Sequence, residues 1–487
     1  MTTDTALHSF LETQVRAAMA GAGTEFGPVR ARARIDVIDL MRGIAILGIL
    51  YMNIPFMGTN VSSWMHDIRR LSWTSTDQVT WAVIQIFWDG TQRGLFEFLF
   101  GAGVLIFTAK AMKPDDPVRV ADLYCRRNLL LVLFGLIDIF LIGWVGDILL
   151  VYGLSALLLF TFRMAPPKVL MAMGLAFAAL MAVGWPGGDG VIGYSERIER
   201  IHKVEALQKQ RAEGVKLSAE DTKTLQKWQE KIDAHDLSKP PPKEDQAAID
   251  AERKAREGGP HEYVMFAWFI WNKVFGDGNG TFFTVLEATA AMCLGMALFK
   301  WGVIQGERSM SFYVVLAITC YAVGCGLRAW DVAQIYRFTP WPPPGMIFGE
   351  FARLTVTLGH VGLLNALMKT ALGGTILTPF KAAGRTAFSI YILTSVVTLW
   401  FVFAPWGLGL WGRFGWTGLV VAATVIDLGM LVLANVWLRF YLGGPLEWVW
   451  RSLTYGKRQP FVRRRMPEGP ASPDQLLSAA APAATPT

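Results

Sequence analysis

The 487-residue sequence is poor in charge. Asp, Glu, Lys and Arg make up only 17% of it, where a soluble domain carries about 25%. Apolar residues fill the gap, at 53% of the chain with a mean hydropathy of +0.35, which excludes an ordinary soluble domain. Cysteine is scarce too. Cys125, Cys293, Cys320 and Cys325 lie in or beside apolar tracts and form no CxxC pair, which argues against a disulfide framework or cysteine-bound metal. There is no Walker A, GxSxG, HExxH or zinc-pair pattern, so ATP-driven transport and zinc hydrolysis find no support and no metal is expected. Residues 1–34 hold Asp4, Glu12 and Glu25 but no apolar core, and so read as a cytoplasmic tail rather than a cleavable signal.

What is present is a series of long apolar tracts separated by short charged loops. Tracts of 18 or more apolar residues predict membrane spans. The expected architecture is an all-α, polytopic membrane helical bundle of about ten transmembrane helices. The predicted spans are 36–57, 91–112, 123–144, 147–163, 167–186, 281–303, 310–330, 344–369, 386–404 and 417–438. Trp81–Trp88 is expected as an interfacial helix and Tyr263–Val274 as an interfacial or re-entrant one. The net charge of +7 reflects orientation, not a nucleic-acid partner. Segments assigned inside carry 23 Lys and Arg, against five in the short loops assigned outside (Arg69, Arg70, Arg93, Arg337 and Arg413). That bias puts both termini in the cytoplasm, as expected for a multi-pass protein of a bacterial inner membrane.

The chain divides into a tail at 1–34, a five-span half at 35–190, an insertion at 191–262, a second five-span half at 263–458, and a basic, then disordered tail at 459–487. The insertion is different material. Residues 195–262 hold 14 Lys and Arg and 15 Asp and Glu. Ser218 and Asp221 suggest a helix-opening capping box, Gly214 a turn before it, and Pro240–Pro242 the end of the helical pair. A helical extracytoplasmic cap is expected, with a third short helix.

Polar residues within the spans point to a cavity, because charge near hydrocarbon usually faces protein or water. Arg42 and Asn53 are eleven residues apart, which leaves about 20° between them on one helix face and about 16 Å along the axis. Glu350, Arg353, Thr357 and His360 fall at about 0°, 300°, 340° and 280° on a helical wheel, forming one polar stripe. Arg127 and Asp138 share a face by the same eleven-residue rule. Asp147 opens the fourth span, and Glu97 interrupts an apolar run. Of the six histidines, only His66 and His360 lie near the membrane core. A structural ion pair between Glu350 and Arg353 is the simpler alternative to a wet cavity, and the two are compatible.

Several ordered blocks resemble the YeiB family, the domain of unknown function 418. They are Asp39-Leu-Met-Arg42-Gly43 through Asn53, Leu95-Phe-Glu-Phe-Leu-Phe-Gly101, Arg126-Arg127-Asn128 through Gly135, Gly146-Asp147 through Tyr152, Gly295 through Gly302, Gly384-Arg385-Thr386 through Ser389, and Gly444-Pro445-Leu-Glu447 through Thr454. That family is grouped with transmembrane acyltransferases of the acyltransferase-three and heparan glucosaminide acetyltransferase types. Acyltransferase-three proteins carry His where this chain has Asn53, and an amide cannot act as a base. His66 is the nearest analogue of the heparan-type histidine. Many YeiB-like chains have His at the place of Asp138 and Tyr at the place of His360, changes that compensate if the two residues face each other.

The resemblance implies acyl transfer from cytoplasmic acyl-CoA or acetyl-CoA to a small-molecule, lipid or glycan acceptor at the membrane or beyond it. His66, His360, Asp138 and Asp147 would be catalytic. Arg42, Asn53, Glu97, Glu350, Arg353 and Thr357 would bind substrate. Membrane lipid is an expected partner, and the reading is compatible with a homodimer. A transporter or lipid-handling protein that uses the same cavity without acyl chemistry remains the alternative.

Overall fold

The computed structural model describes residues 36–65, 67–109, 117–185, 189–240, 243–276 and 279–463. The fold is all-α. Among the described residues the only β pairing is an isolated bridge between Tyr441 and Val462.

Each of the ten predicted spans coincides with a helix. In chain order these are α1 (Asp36–Gly58), α2 (Val61–Trp64), α3 (Ser75–Val83), α4 (Thr91–Thr108), α5 (Pro117–Ile137), α6 (Leu149–Leu159) and α7 (Pro167–Val183). The polar helices α8 (Gly190–Ala212), α9 (Ala219–Ala234) and α10 (Lys243–Gly258) follow, then α11 (Pro260–Phe275) and α12 (Asn279–Lys300). The second half continues with α13 (Met310–Ile335), α14 (Gly345–Met368), α15 (Ala371–Arg385), α16 (Ala387–Val396), α17 (Trp416–Phe440) and α18 (Pro445–Tyr455). Wide π turns extend α3, α5 and α16 at Ile84–Trp88, Asp138–Ile142 and Val397–Val402.

Length and composition qualify fewer of these helices as spans than the ten expected. Among the described residues, five cross that threshold alone: α1, α12, α13, α14 and α17. A sixth arises if α15 and α16, bent by 76° at their junction, count as one broken span. The shortfall has physical causes. Helix α4 carries Arg93 and Glu97, and α5 carries Arg126 and Arg127. The apolar segments Leu149–Phe162 and Pro167–Val183 are 14 and 17 residues or shorter, against about 20 needed to span hydrocarbon. Among the described residues the protein is thus an all-α bundle with five to six helices long and apolar enough to cross a membrane.

Two backbone contacts fix its centre. A Cβ on Gly384 would lie 1.7 Å from the Asp39 carbonyl oxygen, and one on Gly43 would lie 1.9 Å from that of Phe380. Only glycine lets α1 and α15 touch this closely. Gly101 and Gly295 do the same for α4 and α12, where added Cβ atoms would fall 2.1 and 2.2 Å from the carbonyl oxygens of Met292 and Phe98. By contrast, α13 and α17 turn large apolar side chains outward, among them Val315, Ile318, Val425 and Val432, as lipid-facing helices do.

The polar segment forms the expected hairpin and third helix. The Ser218 hydroxyl accepts from the Asp221 amide at 3.0 Å and donates to its carboxylate at 2.6 Å. Gly214 turns the chain at φ +81°. Leu207, Val204 and Leu225 close a small core between α8 and α9, with Trp228 against it.

Candidate functional site

Helix α4 passes two cavities in turn. The first, of 180 Å³, lies among α1, α4, α5, the α15–α16 junction and α18. Arg42, Arg127, Arg385 and Arg451 line it, together with Asp39 and Glu447. Its walls are apolar and aromatic, with Phe96, Phe100, Phe107, Tyr124, Phe388 and Trp450. Arg42 donates to Asp39 at 3.0 Å. The Arg127 guanidinium sits 4.2 Å over the Trp450 ring and 5.2 Å from that of Phe107, while the Trp450 indole donates to the Arg127 carbonyl at 2.8 Å. Four guanidiniums above an apolar wall suit an anionic head with an apolar tail.

The sharp α15–α16 bend brings Arg385 there. A reciprocal lock holds it. The Glu447 carboxylate accepts from the Phe388 amide at 2.8 Å and the Ser389 hydroxyl at 2.5 Å. The same hydroxyl accepts from the Leu446 amide at 3.0 Å. Glu447 thus satisfies the free N–H groups that open α16, and Arg451 follows one turn later on α18.

The second cavity, of 290 Å³, opens where α13 ends and α14 begins. Arg93, Glu287, Arg328, Asp331, Glu350 and Arg353 line it, with Asp89, Trp330 and Phe348. Behind it lies a buried ion network. Arg353 donates to Glu350 at 2.7 and 2.8 Å and to Glu97 at 2.9 Å, and lies 3.2 Å from Glu287. Arg93 donates to Glu287 and lies 3.6 Å from Glu97. Arg328 donates to the Asp89 carbonyl at 2.7 Å and its carboxylate at 3.3 Å. Glu97 is fully buried.

Only about one helical turn of α4 separates the cavities. Arg93 lines the second and Phe96 the first, a rise of about 4.5 Å. Tyr152 fills the partition. It stacks on Phe96 at 5.9 Å, meets Phe100 at 5.4 Å, and donates to the Arg93 carbonyl at 3.3 Å.

A third feature lies behind the first cavity. Tyr391 lines that cavity, donates to Asp147 at 3.3 Å and accepts from the Ile148 amide at 3.0 Å. Asp147 also accepts from the Leu150 amide at 2.7 Å. Beside it is Asp138, fully buried, with Asp147 and Ser395 as polar neighbours. Neither Asp138 oxygen has a hydrogen-bond partner among the described residues. Buried polar atoms rarely stay unsatisfied without a functional reason or a bound molecule.

The expected site residues therefore separate. Arg42 meets the first cavity, and Glu350 and Arg353 the second. The stripe on α14 exists, but its far end packs on protein. Thr357 donates to the Thr91 carbonyl at 3.3 Å. His360 Nδ1 meets the Tyr321 hydroxyl at 2.8 Å, and Nε2 meets the Phe87 carbonyl at 3.0 Å and Thr91 Oγ1 at 3.1 Å. Both ring nitrogens are thus engaged in helix contacts, and neither cavity is lined by His360, Thr357 or Asn53. Asp138 and His360 do not face each other: their neighbours are Asp147 and Ser395 for one, Tyr321 and Thr91 for the other. His66 lies outside the described residues. Arg353 is held by three carboxylates, which occupies it as an anion-binding group. Sequence reasoning passed over Arg93, Glu287, Tyr391, Arg385, Arg451 and Glu447. A lone acid such as Glu287 inside an apolar run was a usable signal.

Residues 298–457 match the family described as protein of unknown function (DUF418). The family match covers two of the four cavity arginines, Arg385 and Arg451. The chain is 26% identical over 444 residues to the uncharacterized protein YxaH of Bacillus subtilis (strain 168), covering 90% of this chain and 98% of that one. It is 23% identical over 441 residues to the uncharacterized protein YeiB of Escherichia coli (strain K12), covering 88% of this chain and 98% of that one. Arg42, Arg127, Arg385 and Arg451 all fall in the blocks that carried the resemblance. With a domain match over residues 298–457 and relatives similar over about nine-tenths of the chain, the chain is similar to the YeiB-like proteins that carry the DUF418 domain.

Proposed function

We propose that the protein is a transmembrane acyltransferase of a bacterial inner membrane, with both termini in the cytoplasm. Acyl-CoA, acetyl-CoA included, binds in the arginine-lined cavity, and an acceptor approaches through the second. The supporting observation is the pair of cavities along one helix, with Phe96, Phe100 and Tyr152 packed together about one turn from Arg93. Arg42, Arg127, Arg385 and Arg451 suit the phosphates of the donor, and the aromatic wall suits its acyl arm.

In the transfer, an acceptor hydroxyl or amine attacks the thioester carbonyl carbon. The new C–O or C–N bond forms, the C–S bond breaks, and the thiolate leaves. The acceptor's proton passes through Tyr391 to the Asp138–Asp147 pair and finally to the thiolate. Paired carboxyls set a proton acceptor beside a proton donor, the role that sequence reasoning gave to histidine. The engaged ring of His360 makes it a positioning residue.

A carrier that moves an acyl-bearing amphiphile intact is the second reading. The 76° break between α15 and α16 favours it, since carriers build sites at interrupted helices.

The test is thiol release from acyl-CoA by purified protein in nanodiscs, across chain lengths and an acceptor panel. Acyl transfer predicts release that falls about a hundredfold in Asp138→Asn, as removal of a general base does, with donor binding retained. Donor binding without any thiol release refutes it in favour of the carrier.

A further inference from the structure

The two cavities carry opposite formal charge. The first sets Arg42, Arg127, Arg385 and Arg451 against Asp39 and Glu447, an excess of two positive charges. The second reverses the balance. Asp89, Glu287, Asp331 and Glu350 line it with Arg93, Arg328 and Arg353, and Glu97 lies behind, 2.9 Å from Arg353. Five carboxylates thus meet three guanidiniums, an excess of two negative charges. Charge left unbalanced in a buried site is costly, and a cation held in the cavity offsets it.

The pairing shows where that cation fits. Arg353 is engaged by Glu350 and Glu97, and Arg93 by Glu287. Arg328 pairs with Asp89 at 3.3 Å, and its Nη1, which has no hydrogen-bond partner, is buried. Among the described residues Asp331 has no guanidinium within ion-pair distance. Its Oδ1 accepts from the Gly345 amide at 2.5 Å, which satisfies a free N–H at the start of α14. Its Oδ2 makes no hydrogen bond among the described residues. Asp89 is the other open acid, with its side chain 48% exposed. Open carboxylate oxygens suit a hydrogen-bond donor that carries positive charge. An anion is disfavoured in the same place, because each guanidinium that could hold it already faces an acid.

An apolar wall adjoins these acids. Trp330, one residue before Asp331, and Phe348, one turn into α14, both line the cavity, with ring centroids 6.4 Å apart. They are 49% and 39% exposed, which leaves broad aromatic faces open beside the carboxylates. Such faces attract a cation and bury an alkyl arm.

Resting on the acyl-transfer reading, we propose that the acceptor is an amine: the second cavity binds a primary ammonium carried on an apolar arm, with the ammonium on Asp331, Asp89 adding to the field, and the arm along Trp330 and Phe348. Before it attacks a thioester, the ammonium gives one proton to a cavity carboxylate, which leaves a neutral amine and a neutral carboxyl.

The test is ligand-observed NMR titration of hexylamine, hexanoate and hexanol with the full chain in nanodiscs of zwitterionic lipid at neutral pH, corrected with empty nanodiscs and with no acyl donor present. Hexylamine is then a cation, as a lysine side chain is. It should bind about tenfold tighter than hexanol, with hexanoate weakest. Asp331→Asn keeps an acceptor for the Gly345 amide, and should weaken hexylammonium about tenfold, the loss of one charge-assisted hydrogen bond, while hexanol binding is unchanged. Asp89→Asn should shift it in the same direction. The amine assignment is overturned if hexanoate or hexanol binds as tightly as hexylammonium, or if folded Asp331→Asn (Asp89→Asn, should the first not fold) binds hexylammonium at wild-type strength. Acyl transfer fails separately. Hexylammonium bound without thiol release from acyl-CoA refutes the enzyme and not the cavity's preference, and transfer confined to alcohols refutes the amine and not the enzyme.

Discussion

Arg353 is the most heavily engaged charge in the bundle, which makes Arg353→Met a demanding perturbation. Its guanidinium, with a side chain only 7% exposed, contacts Glu350, Glu97 and Glu287 and donates to the Gly90 carbonyl at 3.4 Å. Removing it leaves Glu97 and Glu287 to Arg93 alone and takes from Glu350 the guanidinium it pairs with. Breaking a buried ion pair by deleting one partner costs about 3–5 kcal/mol, a factor of about a hundred to several thousand in the folded ratio. The assay is equilibrium unfolding in mixed detergent micelles, followed by tryptophan fluorescence. A second substitution, Glu97→Gln, removes one uncompensated charge and should return about half of the loss. Measured together, the two changes should be clearly non-additive. If Arg353→Met unfolds with the wild-type midpoint, or if Glu97→Gln adds its own full cost on top, the network does not carry the stability assigned to it.

Other consequences are equally direct. Gly384→Ala places a Cβ against the Asp39 carbonyl, so α1 and α15 must separate. We expect a loss above the 1–3 kcal/mol typical of overpacking, read from the same unfolding curves, whereas Gly429→Ala, where a Cβ meets nothing within 4 Å, should be neutral. Ser218→Ala removes the cap of α9 and should cost about 1 kcal/mol, visible as faster amide exchange confined to the first turn after residue 218. Reporters fused after Pro467 and inserted near Lys239 should report the cytoplasm and the opposite side respectively, and finding both on one side would reverse the assigned orientation.

Much of this architecture was legible because burial in lipid and helical periodicity write themselves into sequence. The tracts at 36–57 and 417–438 needed only their length. The polar stripe on α14 was visible from its wheel angles, but not what it faced. Glu350 and Arg353 open on a cavity, while Thr357 and His360 dock on the chain from Phe87 to Thr91. A helical wheel gives direction, not the identity of the opposing helix. Helix α15 was hidden because Gly373, Gly374, Pro379 and Lys381 made its segment look like an inside loop. Its partner α1 is what holds it, through the glycine contact at Gly43. The first cavity was illegible for a similar reason. Its four arginines come from four separate segments, and Arg385 and Arg451 counted only as loop charges that set orientation. The Asp138–Asp147 pair is brought together by a π turn and a loop, where the eleven-residue rule had joined Asp138 to Arg127 along one face instead. Those two are separated by about 16 Å of helix.

Sidedness tests the central claim most directly. In proteoliposomes with acyl-labelled CoA supplied only on the side of the arginine-lined cavity and acceptor only on the other, the account predicts labelled acceptor on the far side while free CoA accumulates on the near side. Arg385→Gln should slow this with the protein still folded. Intact acyl-CoA appearing on the far side, or transfer only when donor and acceptor share a compartment, would contradict it.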